Sequence, residues 1–482
     1  MALSRGRERY QLRNADMKKN RKWKPLRLLN IARLLLSLVY ISSKFPRLSN
    51  AVMYILRPLY EPVKETWYNR KLRYGFLTMG GGLLSPDVVK AYGYAAKAVC
   101  DNFRDTVRAH RRNRPLVWVE WILNAELCEA FDVTSFNSAA LNVFGNLDSM
   151  ATPTLLIEEA EKQGTPVEYC SAMKLDVGAY LLKQIPQPTV TIAGSHPCDT
   201  NVSVAQTIEY LTGVPSFIFD VPYWKDESSF AYMEEQIWDQ IRFLEQHLGR
   251  TIDWDRLRDM LERVNKFNFY LGEICEMHKA IPCPGTMINL EFAWVVREIN
   301  VRSPYALRMA EGLYRAVKKR YDQGRGVVRK ENVRVLLWFP PIAFFTYLFK
   351  WMEHEFGAVI VADFIGQVST VQIDTSTKET MIRDLAKTQM YLAMGRQCHG
   401  PVEFITDEME RYFDAYQVDC MIFTGHQGCK HGWAAAKIIQ DICKKRKMPA
   451  LYLTIDIMDQ RCLNEQGVRD EITAFFKSHG WA

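Results

Sequence analysis

The chain has no CxxC pair and no HxxxH pair, so the short-spaced zinc and thiol-redox motifs are absent. No GxGxxG follows a strand pattern, which removes the dinucleotide fingerprint, and no GxxxxGK[ST] predicts hydrolysis of ATP by the chain itself. GxSxG is missing as well, and with it the serine-hydrolase elbow. The first 25 residues are polar and basic, with neither an apolar stretch nor a small-residue cleavage site, so no secretory signal is read there. The 11 cysteines are odd in number and lack the close, even spacing of a disulfide framework. Together these point to a reducing, cytoplasmic compartment, where cysteines serve as small core residues, metal ligands or nucleophiles.

What is present describes an ordered globular protein. Of 482 residues, 48% are apolar and 24% charged, and the length predicts two or three domains. The 12 Trp and 24 Phe predict large buried surfaces and an apolar pocket. The net charge of +7 is unevenly placed: residues 1–47 hold 13 Lys/Arg against 2 Asp/Glu, a net +11, so the other 435 residues carry a net −4. A mildly acidic body gives no reason to expect a nucleic-acid partner.

Leu26 to Ile41 is apolar but only 16 residues long, and Arg27, Asn30, Arg33 and Ser37 interrupt it at intervals of three and four. It is too short and polar to span a membrane. The pattern predicts a helix with one polar stripe, docked on the body or a partner subunit. The alternative is contact with an anionic membrane surface, helped by the upstream Lys/Arg cluster. Gly80-Gly81-Gly82 lacks the preceding strand of a phosphate loop and reads as a connector before the helix start at Ser85-Pro86-Asp87.

From residue 115 strand patterns alternate with helices. Strands are predicted at 115–120, 189–194, 216–222, 333–339, 358–363, 420–425 and 450–456, with a helical stretch over roughly 225–325. Such alternation implies crossover units and parallel sheets. The expected organisation is a basic helical extension (1–85), a first α/β domain (86–225), a helical connecting segment (226–330) and a second α/β domain (331–482).

Three cysteines stand where a strand or loop hands over to a helix: Cys170 in EYCSAMKL, Cys198 in SHPCDTN and Cys429 in GHQGCKH. Helix amino ends favour thiolate and supply N–H groups to sulfur, and ligand sites in α/β sheets lie at the carboxyl ends of strands. Three thiolates can hold a four-iron cluster and leave one iron open to substrate. A single cysteine is more often a buried small residue, as Cys128, Cys420 and Cys443 are read to be. His196, His426 and His431 beside the second and third cysteines leave a mixed Cys/His zinc site open as an alternative, and Cys398-His399 is a further pair without supporting context.

NAELCEAFDV, EYCSAMKLDVGAYLLKQIPQP, SHPCDTN with FDVPYW, GHQGCKH and TIDIMDQR occur in this order between residues 115 and 480. Their order and separation resemble the 2-hydroxyacyl-CoA dehydratase and benzoyl-CoA reductase family. The resemblance implies an α/β fold of two Rossmann-like parallel-sheet domains joined by a helical segment, with a [4Fe–4S] cluster on Cys170, Cys198 and Cys429. It also implies a homologous iron–sulfur partner subunit, an ATP-dependent iron–sulfur activator and an acyl-CoA thioester substrate. In the dehydratases one electron makes a ketyl radical of the thioester carbonyl, which expels the 2-hydroxyl of an (R)-2-hydroxyacyl-CoA; the reductases instead load electrons into an aromatic ring. Dehydration is the first expectation here and aryl-CoA reduction the second; a structural or electron-relay subunit is the third. His426 and Lys430, beside the third cysteine, and His196, beside the second, are the expected substrate-side residues. Dehydratases carry Ser and Glu where this chain has Trp121 and Ala139, which departs from hydroxyl-handling chemistry.

Overall fold

The computed structural model describes residues 25–48, 85–123, 125–137, 152–339, 346–366, 371–462 and 464–482. Gly80-Gly81-Gly82 and Ala139 lie outside the described residues.

Two four-stranded sheets, each wholly parallel, organise the chain. The first comprises β1 (Leu116–Val119), β2 (Thr134–Asn137), β3 (Val190–Gly194) and β4 (Ser216–Phe219) in the order β2-β1-β3-β4. The second comprises β5 (Val333–Trp338), β6 (Ala358–Asp363), β7 (Cys420–His426) and β8 (Ala450–Ile455) in the order β6-β5-β7-β8. Their apolar, β-branched runs are what a sheet covered on both faces requires, and β1, β3, β5, β6 and β7 are buried throughout. The expected α/β fold with a helical front is thus present. β2 was not expected: TSFN is short, polar and at the sheet edge.

Both sheets follow the same strand order. Chain progress reverses direction between β1 and β3 in one sheet and between β5 and β7 in the other. Each reversal opens a crevice at the carboxyl ends of the two central strands, where a ligand can lodge.

Ahead of the first sheet lie α1 (Arg27–Ser43) and α2 (Pro86–Arg111), packed on one another. Ser85 caps α2 through Val88 N–H, with Pro86 and Asp87 in its first turn. Leu28, Leu29, Ala32 and Leu36 of α1 are buried, and the Leu28 N–H donates to Gln184 Oε1. The expected docking on the body is therefore found, but the outward stripe differs from the expected one. Leu34, Leu38 and Ile41 face outward, while Ser37 Oγ meets Cys100 Sγ at 3.2 Å in the interface. The hydroxyl finds a partner on α2, which the spacing of polar residues could not show.

α3 (Thr152–Lys162) and α4 (Ser171–Leu181) follow β2, and α5 (Asp199–Thr212) joins β3 to β4. Between the sheets the chain runs through α6 (Glu227–Leu248), α7 (Trp254–Met277), α8 (Ile288–Asn300) and α9 (Pro304–Asp322). α10 (Lys430–Arg446) joins β7 to β8. No helix among the described residues is long and apolar enough to cross a membrane.

Candidate functional site

Cys170, Cys198 and Cys429 occupy the residue immediately before α4, α5 and α10 respectively. Cys198 follows β3 and Cys429 follows β7, so each sits at the strand reversal of its own sheet. Cys429 Sγ accepts the Gly432 N–H at 3.4 Å, closing the first turn of α10. Cys198 and Cys170 hold the same position at their helices without a capping hydrogen bond, and the nearby N–H groups of Thr200 and Asn201 and of Ala172 and Met173 favour their thiolates.

The three cysteines line one cavity of about 140 Å³. Its wall is largely apolar and aromatic, with Trp121, Phe292, Trp294 and Val295 on one side and Ile365, Met394 and Ile457 also present. Trp121 and Trp294 lie 5.6 Å apart, tilted by 52°. Burial is the main force on the thiols and pushes all three up, Cys429 to about 11. Cys198 and Cys429 raise Cys170 further, and Cys198 raises Cys429, because neighbouring thiolates repel. A bound cation reverses that logic by holding coordinated sulfur as thiolate.

Close approach of backbone builds this arrangement. A Cβ on Gly428 would lie 2.7 Å from Cys170 Cα and 2.9 Å from Tyr169 O, so only glycine lets the turn after β7 meet the start of α4. The same junction carries a polar clamp. Asp456 Oδ1 accepts from Ser171 Oγ at 2.6 Å and from the Met458 and Asp459 N–H groups. Arg461 pairs with Asp459 at 2.6 Å and Glu161 at 3.0 Å, and Glu161 also takes Lys174 at 2.7 Å.

His426 is buried in the cavity wall, with Nε2 3.3 Å from Cys170 Sγ. Its Nδ1 lies 3.4 Å from the Ile457 nitrogen and 3.6 Å from Asp456 Oδ2. Burial lowers its pKa, against the opposing pull of Asp456. Lys430 is exposed at the cavity rim, its ammonium 5.7 Å from the Tyr169 ring centre. His196 is fully buried and does not belong to the lining; its Nε2 accepts from Gln389 Nε2 at 2.9 Å. Two of the three expected substrate-side residues therefore meet the cavity, and His196 stands behind it. His431 lines it as well.

Sequence reasoning left one lining group without context and missed another. Cys398, noted only as a pair with His399, lines the cavity from the end of the short helix Gly395–Cys398. Glu291 lines it from α8, where a carboxylate inside INLEFAWVV was a legible sign of a buried charge. Trp121 stands in the wall.

Soft thiol donors, three aligned helix ends and a shared cavity suit an iron–sulfur group. Among the described residues, no group of three His, Cys, Asp or Glu side chains is placed to hold a metal ion. Thiolates of a four-iron cluster bind different irons around a cage, so they need not converge on a point.

Two parallel sheets whose reversal points share a thiol-lined, aromatic-walled cavity define an α/β protein with a soft-donor site. Residues 121–478 match the family described as 2-hydroxyglutaryl-CoA dehydratase, D-component, and the chain belongs to that family. It is similar to a subunit of the benzoyl-CoA reductase of Thauera aromatica, 22% identical over 349 residues that cover 67% of this chain and 79% of the relative. It is also similar to the alpha subunit of the lactoyl-CoA dehydratase of Anaerotignum propionicum, 24% identical over 153 residues that cover 27% of this chain and 36% of the relative.

Proposed function

We propose that the chain is a [4Fe–4S]-binding subunit acting on a CoA thioester by one-electron chemistry, with Cys170, Cys198 and Cys429 as ligands. The observation that carries this is the convergence of three helix-capping cysteines on one cavity. When bound, such a cluster supplies single electrons and, at an iron without a thiolate, a Lewis-acid position for a substrate oxygen. His426, with Nε2 3.3 Å from the Cys170 sulfur, orients that ligand. His196 holds the turn before Cys198 through Gln389. Lys430, at the rim, is placed to meet an anionic part of the thioester. The aromatic wall excludes water from the acyl group.

Dehydration of an (R)-2-hydroxyacyl-CoA is the first reading, in keeping with the family. Reduction of an aryl-CoA is the second, favoured by Trp121, Phe292 and Trp294, which offer flat apolar surfaces. Both readings imply a homologous iron–sulfur partner subunit and an ATP-dependent activator.

The test is anaerobic purification with iron and sulfide analysis, then Mössbauer and EPR spectra with and without acyl-CoA. About four irons per chain are expected, with one site changing on addition of thioester. Cys170→Ala, Cys198→Ala and Cys429→Ala each lose iron, whereas Cys443→Ala keeps it. Zinc in place of iron, or full activity without iron, sinks the proposal. Turnover of a 2-hydroxyacyl-CoA against an aryl-CoA separates the two readings.

A further inference from the structure

Among the described residues, two carboxyl groups line the cavity. Asp199 is exposed, whereas Glu291 is 5% exposed. Glu291 stands in the first turn of α8 and reaches Asp363, the last residue of β6, which is 1% exposed. The two carboxyl groups lie close enough to shift each other's titration. Glu291 Oε1 and Asp363 Oδ2 are enclosed by protein and receive no N–H or alcohol O–H. Two carboxylates have only acceptors to offer, so the contact requires a proton between them.

The surroundings decide which group holds it. Asp363 Oδ1 accepts the Ile365 N–H at 3.2 Å and the Gly366 N–H at 2.5 Å, and Arg396 acts on it favourably from a distance. Among the described residues Glu291 has no such donor; the other groups that feel it are Tyr92, whose hydroxyl donates to Asn289, and Asp363 itself. N–H bonds stabilise the charged form, so Asp363 is the carboxylate and Glu291 the acid. Burial raises Glu291 well above the usual carboxylate range and Asp363 to about 6.

We propose that Glu291 is a catalytic acid of this cavity, giving its proton to the bound acyl group, and that Asp363 is the positioning residue that keeps it loaded. The role rests on the reading above, in which the cavity holds the acyl end of a CoA thioester. In the step the Glu291 O–H bond breaks and its electron pair stays on the carboxylate. In a dehydration the thioester carbonyl has first accepted one electron from a low-potential iron–sulfur donor. The proton then joins the 2-oxygen as the C–O bond breaks with its pair on oxygen, releasing water. The neutral radical left behind yields the enoyl thioester by losing its 3-proton and handing the electron back. In an aryl reduction it bonds to a ring carbon of a substrate that has accepted one electron from a low-potential iron–sulfur donor. Solvent returns the proton to Glu291 before the next turnover.

The test uses the iron-loaded chain with its partner subunit, and compares Glu291→Gln, Glu291→Asp and Asp363→Asn with the parent. Glu291→Gln is expected to lower kcat by on the order of 10² to 10⁴-fold, with a much smaller change in KM and unaltered iron, sulfide and EPR signals. Glu291→Asp restores part of the rate. Infrared difference spectra at neutral pH show a protonated carboxyl band in the parent that Glu291→Gln removes. A Glu291→Gln variant that keeps kcat within about threefold of the parent, where a lost general acid costs at least 10²-fold, overturns the proposal. So does a parent spectrum without that band. A parent chain that binds no iron but keeps the band overturns the cluster reading, and the transfer step with it, while leaving the proton between the carboxyls intact.

Discussion

His278 shows what burial does to one titrating side chain. It is fully enclosed, its Nδ1–H donates to Val361 O at 3.3 Å, and burial lowers its pKa from 6.5 to about 4. A base whose folded pKa is depressed stabilises the fold while it is neutral. That contribution is complete above pH 6.5 and is lost as pH falls toward about 4. The size is roughly 3 kcal/mol. Denaturant unfolding across this range should show falling stability, with a shallower slope for His278→Gln; an unchanged slope would place the acid sensitivity elsewhere. Arg297 makes the complementary case. Its guanidinium, 6% exposed, pairs with Glu126 at 3.1 Å and Glu298 at 3.3 Å, both buried. Arg297→Met should cost about 3–5 kcal/mol, read by the same method, since it leaves buried carboxylates uncompensated. The pairings of His278 with Val361 and of Arg297 with Glu126 were not legible in the sequence, because they join residues 83 and 171 apart in the chain.

Among the elements, α1 has two apolar faces with different duties. Leu29 is 1% exposed against the body, whereas Leu34 and Leu38 are 63% and 55% exposed. Leu29→Ala should therefore destabilise the chain by about 2–5 kcal/mol, and Leu34→Gln should change it by less than about 0.5 kcal/mol. Equal effects on thermal unfolding would contradict the docking. α3 and α4 cross so closely that a Cβ on Gly178 would overlap the Leu156 carbonyl. Gly178→Ala should cost about 1–3 kcal/mol by overpacking. α1, α2 and α4 were legible from apolar spacing and helix-start residues, whereas α3 was not read from the sequence. Their mutual approach was not, since a helix pattern states which face is apolar but not which neighbour covers it.

At the scale of the molecule, the Gly428 turn and the Asp456–Ser171 clamp hold the second sheet's loop against the start of α4. Gly428→Ala should force that junction apart, and alkylation of Cys170 in the iron-free chain, followed by mass spectrometry, should run faster than in the parent. Unchanged alkylation would show that the junction does not depend on this glycine. By itself the sequence determined seven of the eight strands described, much of the helical pattern and the places of Cys170, Cys198 and Cys429 at helix starts, because strand composition and helix-start residues are local signals read within a few residues. Only the tertiary structure decided that the three capping sites share a cavity, that Cys398 and Glu291 join them, and that His196 stands behind the wall. Those outcomes depend on contacts such as Ser171 with Asp456, 285 residues apart, which packing selects and no local pattern encodes.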